Sequence, residues 1–299
     1  MISSSIYDVL SQETPLIVPI AHDALAARLI EAAGFKAYSV GGFALAGVRY
    51  CLPDVGLVSF GEFAGGVRDI MMGSSLPLIV DGDDGYGDVK NVTRTVETYE
   101  AMGVAGLVLE DQTNPKRCGH MAGKSVVSLD IATRKLEAAL AARRDPRFFI
   151  VGRTDARAVT GLDDAIARAK RFVEVGVDAV IVEAPQSVEE LKRIGGSIEH
   201  IQFANMAEAG RTPILPPDEL KAFGFSIIVY PGTLLLRIIK AMQDALADLR
   251  ANTLKLPEGT MNFQQLTEML GLPKWRAVDQ QFGDQPRSGS DDAALHRSS

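Results

Sequence analysis

The sequence has few cysteines and no long apolar or basic run. Its 299 residues include two cysteines, Cys51 and Cys118, so at most one disulfide could form. A chain of this length does not need a cross-link to be stable, and we expect both thiols to be reduced. The longest apolar runs, such as "FSIIVYP", fall far short of the roughly 20 residues that a membrane-spanning helix needs.

A secretion signal and a basic surface are also missing. The amino terminus lacks a charged segment followed by an apolar one, so we expect a cytoplasmic protein with no membrane partner. The 31 basic and 38 acidic residues give a net charge of −7, and lysine and arginine form no cluster. This balance argues against a nucleic-acid partner. The expected partner is therefore a small molecule.

Eight short apolar runs rich in β-forming residues recur along the chain. Each is nearly continuous instead of alternating, which is typical of parallel strands covered on both faces. They are "PLIVPIA", "KAYSV", "LPLIVDGD", "AGLVLED", "RFFIVGRTD", "DAVIVEA", "IQFANM" and "FSIIVYP".

Segments with helical periodicity separate these runs, and several begin at Asp, Ser or Asn and end at Gly, as capped helices do. Eight strand–helix repeats predict the α/β class and a (β/α)8 TIM barrel. A doubly wound sheet is the alternative, but Gly-x-Gly-x-x-Gly does not follow the first strand. We predict one domain over residues 1–282, including short C-terminal helices, and a disordered tail over 283–299.

Polar residues follow most of these runs, at the positions where barrel enzymes carry their chemistry. Asp81 and Asp83 lie on a glycine-rich turn, and Glu110 follows the next strand. Carboxylates brought close together repel one another unless a cation lies among them. Because the sequence shows no zinc-like His/Cys spacing, Mg²⁺ is the predicted ion, with Mn²⁺ as an alternative. Helix capping and simple solvation are the structural alternatives.

Two further residues suggest chemistry at the barrel mouth. Arg153 follows "FFIVG" and could bind a carboxylate or phosphate through two donors, or form a structural pair with Glu183 or Asp155. Cys118 lies in "KRCGH", where the neighbouring cations are expected to lower its pKa. It could be a reactive thiol, a buried apolar side chain or a metal ligand.

The ordered motifs "YSVGG", "LPDVG", "VDGDDGYG", "LEDQ", "KRCGH", "GRTDA", "VEA" and "ANMAE" resemble the isocitrate lyase / phosphoenolpyruvate mutase superfamily. Within it, Cys-Gly-His is similar to the carbon–carbon lyase branch of 2-methylisocitrate and 2,3-dimethylmalate lyases. The resemblance implies a Mg²⁺-dependent barrel whose eighth helix is swapped between neighbours, in a homotetramer built as a dimer of dimers.

The resemblance also implies roles for individual residues. Cys118 matches the general acid, Tyr38 a tyrosine near the reacting hydroxyl, and His120 and Arg153 further catalytic groups. The implied metal carboxylates are Asp81, Asp83, Glu110 and Asp54. The implied substrate contacts are Ser39, Gly41, Gly42, Lys116, Gly119, Arg153, Glu183 and Asn205.

The implied catalytic, metal and substrate residues suit the retro-Claisen cleavage of a 2-hydroxy di- or tricarboxylate. The products would be an α-keto acid, such as pyruvate, and a carboxylate. Where the family pattern has Ser-Gly-Gly, this chain has Val40-Gly41-Gly42, so a hydroxyl that would contact the substrate carboxylate is missing or is replaced by Ser39. Polar residues are also replaced after Asn205 and after His120. Each change removes a polar contact, so we favour a smaller and more apolar substrate, such as a substituted malate, over 2-methylisocitrate.

Two alternatives remain open. One is another enzyme with the same site, an oxaloacetate decarboxylase or hydrolase or a phosphonopyruvate-type enzyme, which would not use Cys118. The other is a barrel that binds a dicarboxylate without turnover.

Overall fold

The structure, a computed structural model, describes residues 5–253 and 255–283. Eight parallel strands lie within the eight predicted apolar runs, because each run is long enough for one strand buried on both faces. The strands β1 to β8 are Leu16–Pro19, Tyr38–Val40, Leu78–Asp81, Gly106–Glu110, Phe149–Thr154, Ala179–Val182, Gln202–Asn205 and Ile227–Tyr230.

The sheet closes on itself. Its hydrogen-bonded order is β1-β8-β7-β6-β5-β4-β3-β2, and a parallel bridge between Ile20 and Ser39 joins the two end strands. Every neighbouring pair is parallel, so all carboxyl ends lie on one side of the barrel. The predicted (β/α)8 barrel is confirmed.

Helices alternate with the strands, and the helices between successive strands cover the outside of the barrel. Side-chain caps begin many of them, as with Asp23 and Ser128, and left-handed glycines end others, as with Gly103 and Gly176. The helices α1 to α12 are Ile6–Gln12, Ala24–Ala32, Gly42–Tyr50, Phe60–Met71, Val89–Met102, Leu129–Ala142, Leu162–Val175, Val188–Ser197, Pro217–Phe223, Thr233–Ala251, Phe263–Met269 and Leu272–Phe282.

The chain divides into two compact units, Met1–Ala241 and Met242–Ser299. The first contains the barrel. In the second, an Asn262 capping box begins α11 and a proline lies in the first turn of α12, which confirms the short helices predicted for this segment. The single domain over 1–282 and the helix swap stay predictions, and the predicted tail lies outside the described residues from 284 onward.

No helix within residues 5–253 and 255–283 combines the length and the apolar character needed to cross a membrane.

Candidate active site

A pocket opens at the carboxyl ends of the strands, and it brings together all but three of the predicted site residues. The polar lining comes from several strand ends and from the loop after β4, residues 113–125, which we call the flap. The predicted residues that line the pocket are Ser39, Gly41, Gly42, Asp54, Asp81, Lys116, Cys118, Gly119, His120, Arg153, Glu183 and Asn205. Asp83 and Glu110 contact this lining through ion pairs, and Tyr38 does not.

Tyr38 is the predicted site residue that the structure places elsewhere. Successive side chains on a strand face opposite sides, and on β2 it is Ser39 that lines the pocket. Tyr38 is buried, and burial together with the charge of Glu31 on α2 raises the pKa of its phenol. The expected position of Tyr38 near a reacting hydroxyl is therefore corrected, because the side chain lies in the helix-facing core.

The carboxylates at the ends of β3 and β4 are incompletely satisfied. Both carboxyl oxygens of Glu110 and the Oδ1 of Asp83 are buried without a hydrogen bond. Burial, opposed by Lys116 and reinforced by Asp81 and Asp54, raises the pKa of Asp83 to about 7. Burial likewise raises the pKa of Glu110 well above its usual range. Buried carboxylates that outnumber the cations beside them are costly unless a further cation binds.

Lys116 supplies one cation from the flap. Its ammonium nitrogen lies 2.6 Å from an Asp54 oxygen and 2.5 Å from Asp83 Oδ1. A Cβ at position 42 would lie 3.0 Å from the same nitrogen, so Gly42 leaves room for this approach. Lys116 thus connects the flap to the carboxylates of the mouth.

The residues at this mouth fit a hydrated divalent cation. Cationic side chains are fewer than carboxylates here: Lys116 is shared between Asp54 and Asp83, and Glu110 shares Arg153 with Asp155 and Glu183. Within residues 5–253 and 255–283 no three His, Cys, Asp or Glu side chains already enclose an ion. Mg²⁺ usually keeps several waters and takes only one or two protein carboxylates, so these side chains need not form a closed cage.

Arg153 is held among three carboxylates. Its guanidinium lies 3.0 Å from Glu110, 3.0 Å from Asp155 and 3.6 Å from Glu183, with 10% of the side chain exposed. Burial opposes the charged form, but these carboxylates raise the pKa of Arg153, so it stays a cation. Of the predicted alternatives, the structural ion pairs are present, and the same guanidinium also lines the pocket.

Cys118 lines the pocket as a thiol. The expectation that neighbouring cations lower its pKa is wrong, because burial raises the pKa of Cys118 and the charges of Asp54 and Glu183 act in the same direction. Its backbone N–H donates to the carbonyl of Asp54 at 3.0 Å, which fixes the flap over the mouth. A protonated thiol beside a pocket suits proton donation better than nucleophilic attack.

His120 follows Cys118 on the flap and is held in one tautomer. The backbone N–H of Arg211 donates to His120 Nδ1 at 3.1 Å, so the neutral ring carries its hydrogen on Nε2. Burial lowers the pKa of His120 and favours this neutral form, although the charge of Glu183 opposes the shift. His120 Nε2 lies 3.3 Å from Glu183 Oε1 without hydrogen-bond alignment.

The remaining predicted substrate contacts already have partners. Ser39 Oγ donates to the carbonyl of Ile79 at 2.7 Å, and the Gly42 N–H donates to Asp81 at 3.3 Å. The Asn205 amide donates to Glu183 at 2.7 Å. A substrate carboxylate would therefore have to displace or share these bonds at Ser39 and Gly42.

Two features of the site were missed in the sequence. The first is an apolar part of the pocket lining, which we call the apolar wall and which includes Ile20, Phe43, Phe203, Val229 and Pro231. Its residues come from different strand ends and from α3, so no local pattern predicts it. The second is Lys124, whose ammonium nitrogen lies 2.6 Å from Asp155. A Gly-Lys at the end of the flap was its only signal in the sequence.

Comparison with known proteins identifies the protein family. The phosphoenolpyruvate phosphomutase family matches residues 7–250. The chain belongs to this family, within the phosphoenolpyruvate mutase / isocitrate lyase superfamily, which confirms the predicted resemblance and the prediction of an enzyme of that superfamily.

The chain is similar to individual lyases in sequence and to a hydrolase in structure. The chain is 38% identical to 2,3-dimethylmalate lyase of Eubacterium barkeri, over 92% of this chain and 96% of that protein. It is 40% identical to a probable 2-methylisocitrate lyase of Corynebacterium glutamicum, over 88% of this chain and 86% of that protein. A structure of oxaloacetate acetylhydrolase with 3,3-difluorooxalacetate superposes with a TM-score of 0.86 at 31% identity, covering 93% of this chain and 96% of that one.

Proposed function

We propose that this protein is a Mg²⁺-dependent carbon–carbon lyase that cleaves a substituted malate into an α-keto acid and a carboxylate. The observation that carries the proposal is a protonated Cys118 thiol in the same pocket as Arg153 and the carboxylate cluster. The similarity to 2,3-dimethylmalate lyase over nearly the whole chain supports the same reaction class.

The apolar wall supports a small, alkyl-substituted substrate over a tricarboxylate. Phe43 and Pro231 line the pocket with hydrocarbon. An alkyl group against this wall loses water-exposed apolar area, whereas a third carboxylate would lose hydration without gaining a donor. A 2-hydroxy dicarboxylate with small alkyl substituents fits both halves of the pocket.

Arg153 and Cys118 have different roles in the proposed reaction. Arg153 binds and orients the α-hydroxy acid end of the substrate, and the flap excludes water from it. Removal of the hydroxyl proton by a base lets the C2–C3 bond break, and its electron pair passes into an enediolate on the leaving carboxylate. The Cys118 thiol then donates its proton to that carbanion.

A bound Mg²⁺ would supply positive charge at the developing enediolate and α-keto acid oxygens. Asp81, Asp83 and Glu110 would hold it, directly or through water, with Asp54 nearby. Mn²⁺ has similar ligand preferences and is the expected substitute.

Chelation should test the cation directly. Treatment with excess EDTA is expected to abolish turnover. Addition of Mg²⁺, or of Mn²⁺ in its place, should restore turnover. Mg²⁺ alone should also raise the melting temperature, because a ligand that binds only the folded state stabilises it. Ca²⁺, which prefers more oxygen ligands and a looser geometry, is the matched control. Full turnover after exhaustive chelation would contradict the predicted site.

Gly119→Ala should show how closely the flap must approach the strand ends. A Cβ at this position would lie 2.6 Å from Glu183 Oε1 and 2.7 Å from Arg153 Nη2, so the flap must shift outward. Because displacement of a reacting group by about 1 Å can cost ~10²-fold in rate, we expect kcat to fall by about that factor. Gly65→Ala on α4 is the control, since its Cβ would meet no atom within 4 Å. Equal rates for both variants would contradict a closed flap in catalysis.

A substrate panel tests the proposed function. The protein with Mg²⁺ is incubated with 2,3-dimethylmalate, 2-methylisocitrate, isocitrate, oxaloacetate and phosphonopyruvate, and α-keto acid release is followed by a coupled dehydrogenase. Release from 2,3-dimethylmalate above the other compounds is expected. Glyoxylate from isocitrate alone, or phosphate from phosphonopyruvate alone, would overturn the proposal.

The alternative function of an oxaloacetate hydrolase is supported by a structural similarity. The structural similarity to oxaloacetate acetylhydrolase is as close as that to lyases of the same fold, and hydrolysis of oxaloacetate uses a similar small dicarboxylate. Acetate and oxalate release in the panel would favour it. Binding of these acids without any product would favour a dicarboxylate-binding barrel.

We further propose a helix-swapped assembly, a dimer of dimers in the homotetramer. A groove of about 470 Å³ beside β1 and β8 is lined almost wholly by hydrocarbon, including Ile17, Leu29, Ile30 and Phe35. In a (β/α)8 barrel the helix after the last strand covers this place, yet on α10 only Leu235 is buried. The α10 helix of a second copy is therefore the proposed occupant.

Leu29→Glu tests this assembly. Leu29 lines the groove with 42% exposure, so a carboxylate there would be buried if a helix docks. We expect light scattering to show a tetramer for the native chain and smaller species for the variant. Leu57→Glu, a similarly exposed position outside the groove, is the control. A native monomer would contradict the proposal.

A further inference from the structure

Lys124 lies at the end of the flap, and its side chain is almost completely buried. Its side chain is 1% exposed, and its partner Asp155 is 0% exposed. The ammonium donates to Asp155 Oδ1 at 2.6 Å and to the backbone carbonyl of Gly119. Lysine is rarely buried to this degree unless it is paired, and both of its partners belong to the site or to the flap.

The two partners of Lys124 contact the same guanidinium. Asp155 accepts from Arg153 Nε at 3.0 Å and from Arg153 Nη2 at 3.2 Å. Gly119 lies against Arg153 and Glu183 so closely that no Cβ fits there. Lys124 therefore joins the middle of the flap to the carboxylate that orients Arg153.

Other contacts of the flap are mostly neutral hydrogen bonds. The Gln112 side chain bonds both the carbonyl and the N–H of Arg117 at 2.8 and 3.0 Å, and Thr113 bonds Ser125. Lys116 forms the other buried ion pairs of the flap, with the aspartates near the predicted metal. Lys124 is thus a charged anchor whose partner is not one of the predicted metal carboxylates.

We propose that Lys124 is a positioning residue: its ammonium holds the flap closed and at the same time shares Asp155 with Arg153. When the flap opens, the ammonium leaves Asp155, and Arg153 becomes the remaining cation on that carboxylate. Closure of the flap and orientation of the guanidinium are then one event. The consequence for turnover rests on the proposed lyase function, whereas the closure itself does not.

Alkylation of Cys118 measures flap opening without a substrate. Cys118 lies on the flap and is partly buried, and Cys51 is exposed and serves as an internal reference. The full chain is treated with iodoacetamide, and the labelling rate at each cysteine is followed by mass spectrometry. In Lys124→Met the loss of a buried charge pair is expected to raise the Cys118 rate at least about tenfold relative to Cys51.

Two variants make the result specific. Lys124→Gln keeps a hydrogen-bond donor of similar length, so its Cys118 rate should lie between those of the native chain and Lys124→Met. Lys90→Met removes an ammonium that lies 3.1 Å from Asp88 but is 85% exposed, and it should leave the rate unchanged.

The proposal is overturned by a folded Lys124→Met whose Cys118 rate equals that of the native chain. It is also overturned if Lys90→Met raises the rate equally, or if neither Lys124 variant folds, since the lysine would then be required by the barrel itself. Where turnover is measurable, Lys124→Gln should lower kcat more than it changes KM. A native chain without turnover would refute the proposed function and leave the alkylation result decisive for the flap.

Discussion

Cys118→Ser is expected to lower the rate of carbon–carbon cleavage by about 10²–10⁴-fold, the usual contribution of a positioned general acid. The hydroxyl of serine is a far weaker acid than a thiol, so it cannot protonate the carbanion efficiently. Substrate binding should change little, because Arg153 and the carboxylate cluster remain in place. The measurement is steady-state kinetics on 2,3-dimethylmalate, with kcat and KM determined separately.

Cys51→Ser is the matched control for this substitution. It changes the other cysteine, which is exposed and outside the pocket, and it should leave kcat unchanged. The same pair of variants separates the alternatives. An oxaloacetate hydrolase or a phosphonopyruvate-type enzyme would keep most of its turnover in Cys118→Ser, and such a result would exclude the thiol as the acid.

Arg153→Gln is expected to have the second large effect, on stability as well as on turnover. The arginine is the common partner of Glu110, Asp155 and Glu183, all of which have side chains at most 2% exposed. Removal of one partner from a buried ion cluster leaves uncompensated charge and typically costs about 3–5 kcal/mol. Urea denaturation should show this loss in the free energy of unfolding, and kcat should fall below detection because the α-hydroxy acid loses its anchor.

Arg171→Gln is the control for Arg153→Gln. Arg171 lies 2.8 Å from Glu174, but their side chains are 46% and 64% exposed, and solvent-exposed pairs contribute about 0–1 kcal/mol. A comparable loss in both variants would show that the buried cluster has no special role.

The metal prediction and the thiol prediction depend on different observations. The metal depends on the buried carboxylates of Asp83 and Glu110, whose nearby cations Lys116 and Arg153 are shared with other carboxylates. The thiol depends on the position of Cys118 in the pocket and on the direction of its pKa shift. Chelation and Cys118→Ser can therefore fail independently, and only the loss of turnover in both experiments is consistent with the complete lyase mechanism.

The architecture could be predicted from the sequence because its signals are local. A run such as "FFIVG" is apolar at every position, which only a strand covered on both faces requires, and Ser128 or Gly176 marks a helix end within a few residues. Since polar residues at strand ends share one rim in a parallel barrel, most of the site followed from that architecture.

The tertiary structure decided the direction in which each side chain points and the charges that surround it. Tyr38 and Ser39 are adjacent in sequence, but the pleat sends one to the core and the other to the pocket. The cations beside Cys118 predicted a lowered pKa, yet burial and the nearby carboxylates raise it. The partners of Lys124 are one flap residue and one residue beyond β5, so no pattern within the flap indicates its role.

The sequence by itself therefore determined the barrel, the rim that carries the chemistry and the family, because hydrophobic periodicity, caps and short motifs are properties of neighbouring residues. Only the tertiary structure decided which face each strand-end side chain takes and which charges are buried together. Those properties depend on distances between residues far apart in the chain, and electrostatic energies change steeply with such distances and with burial.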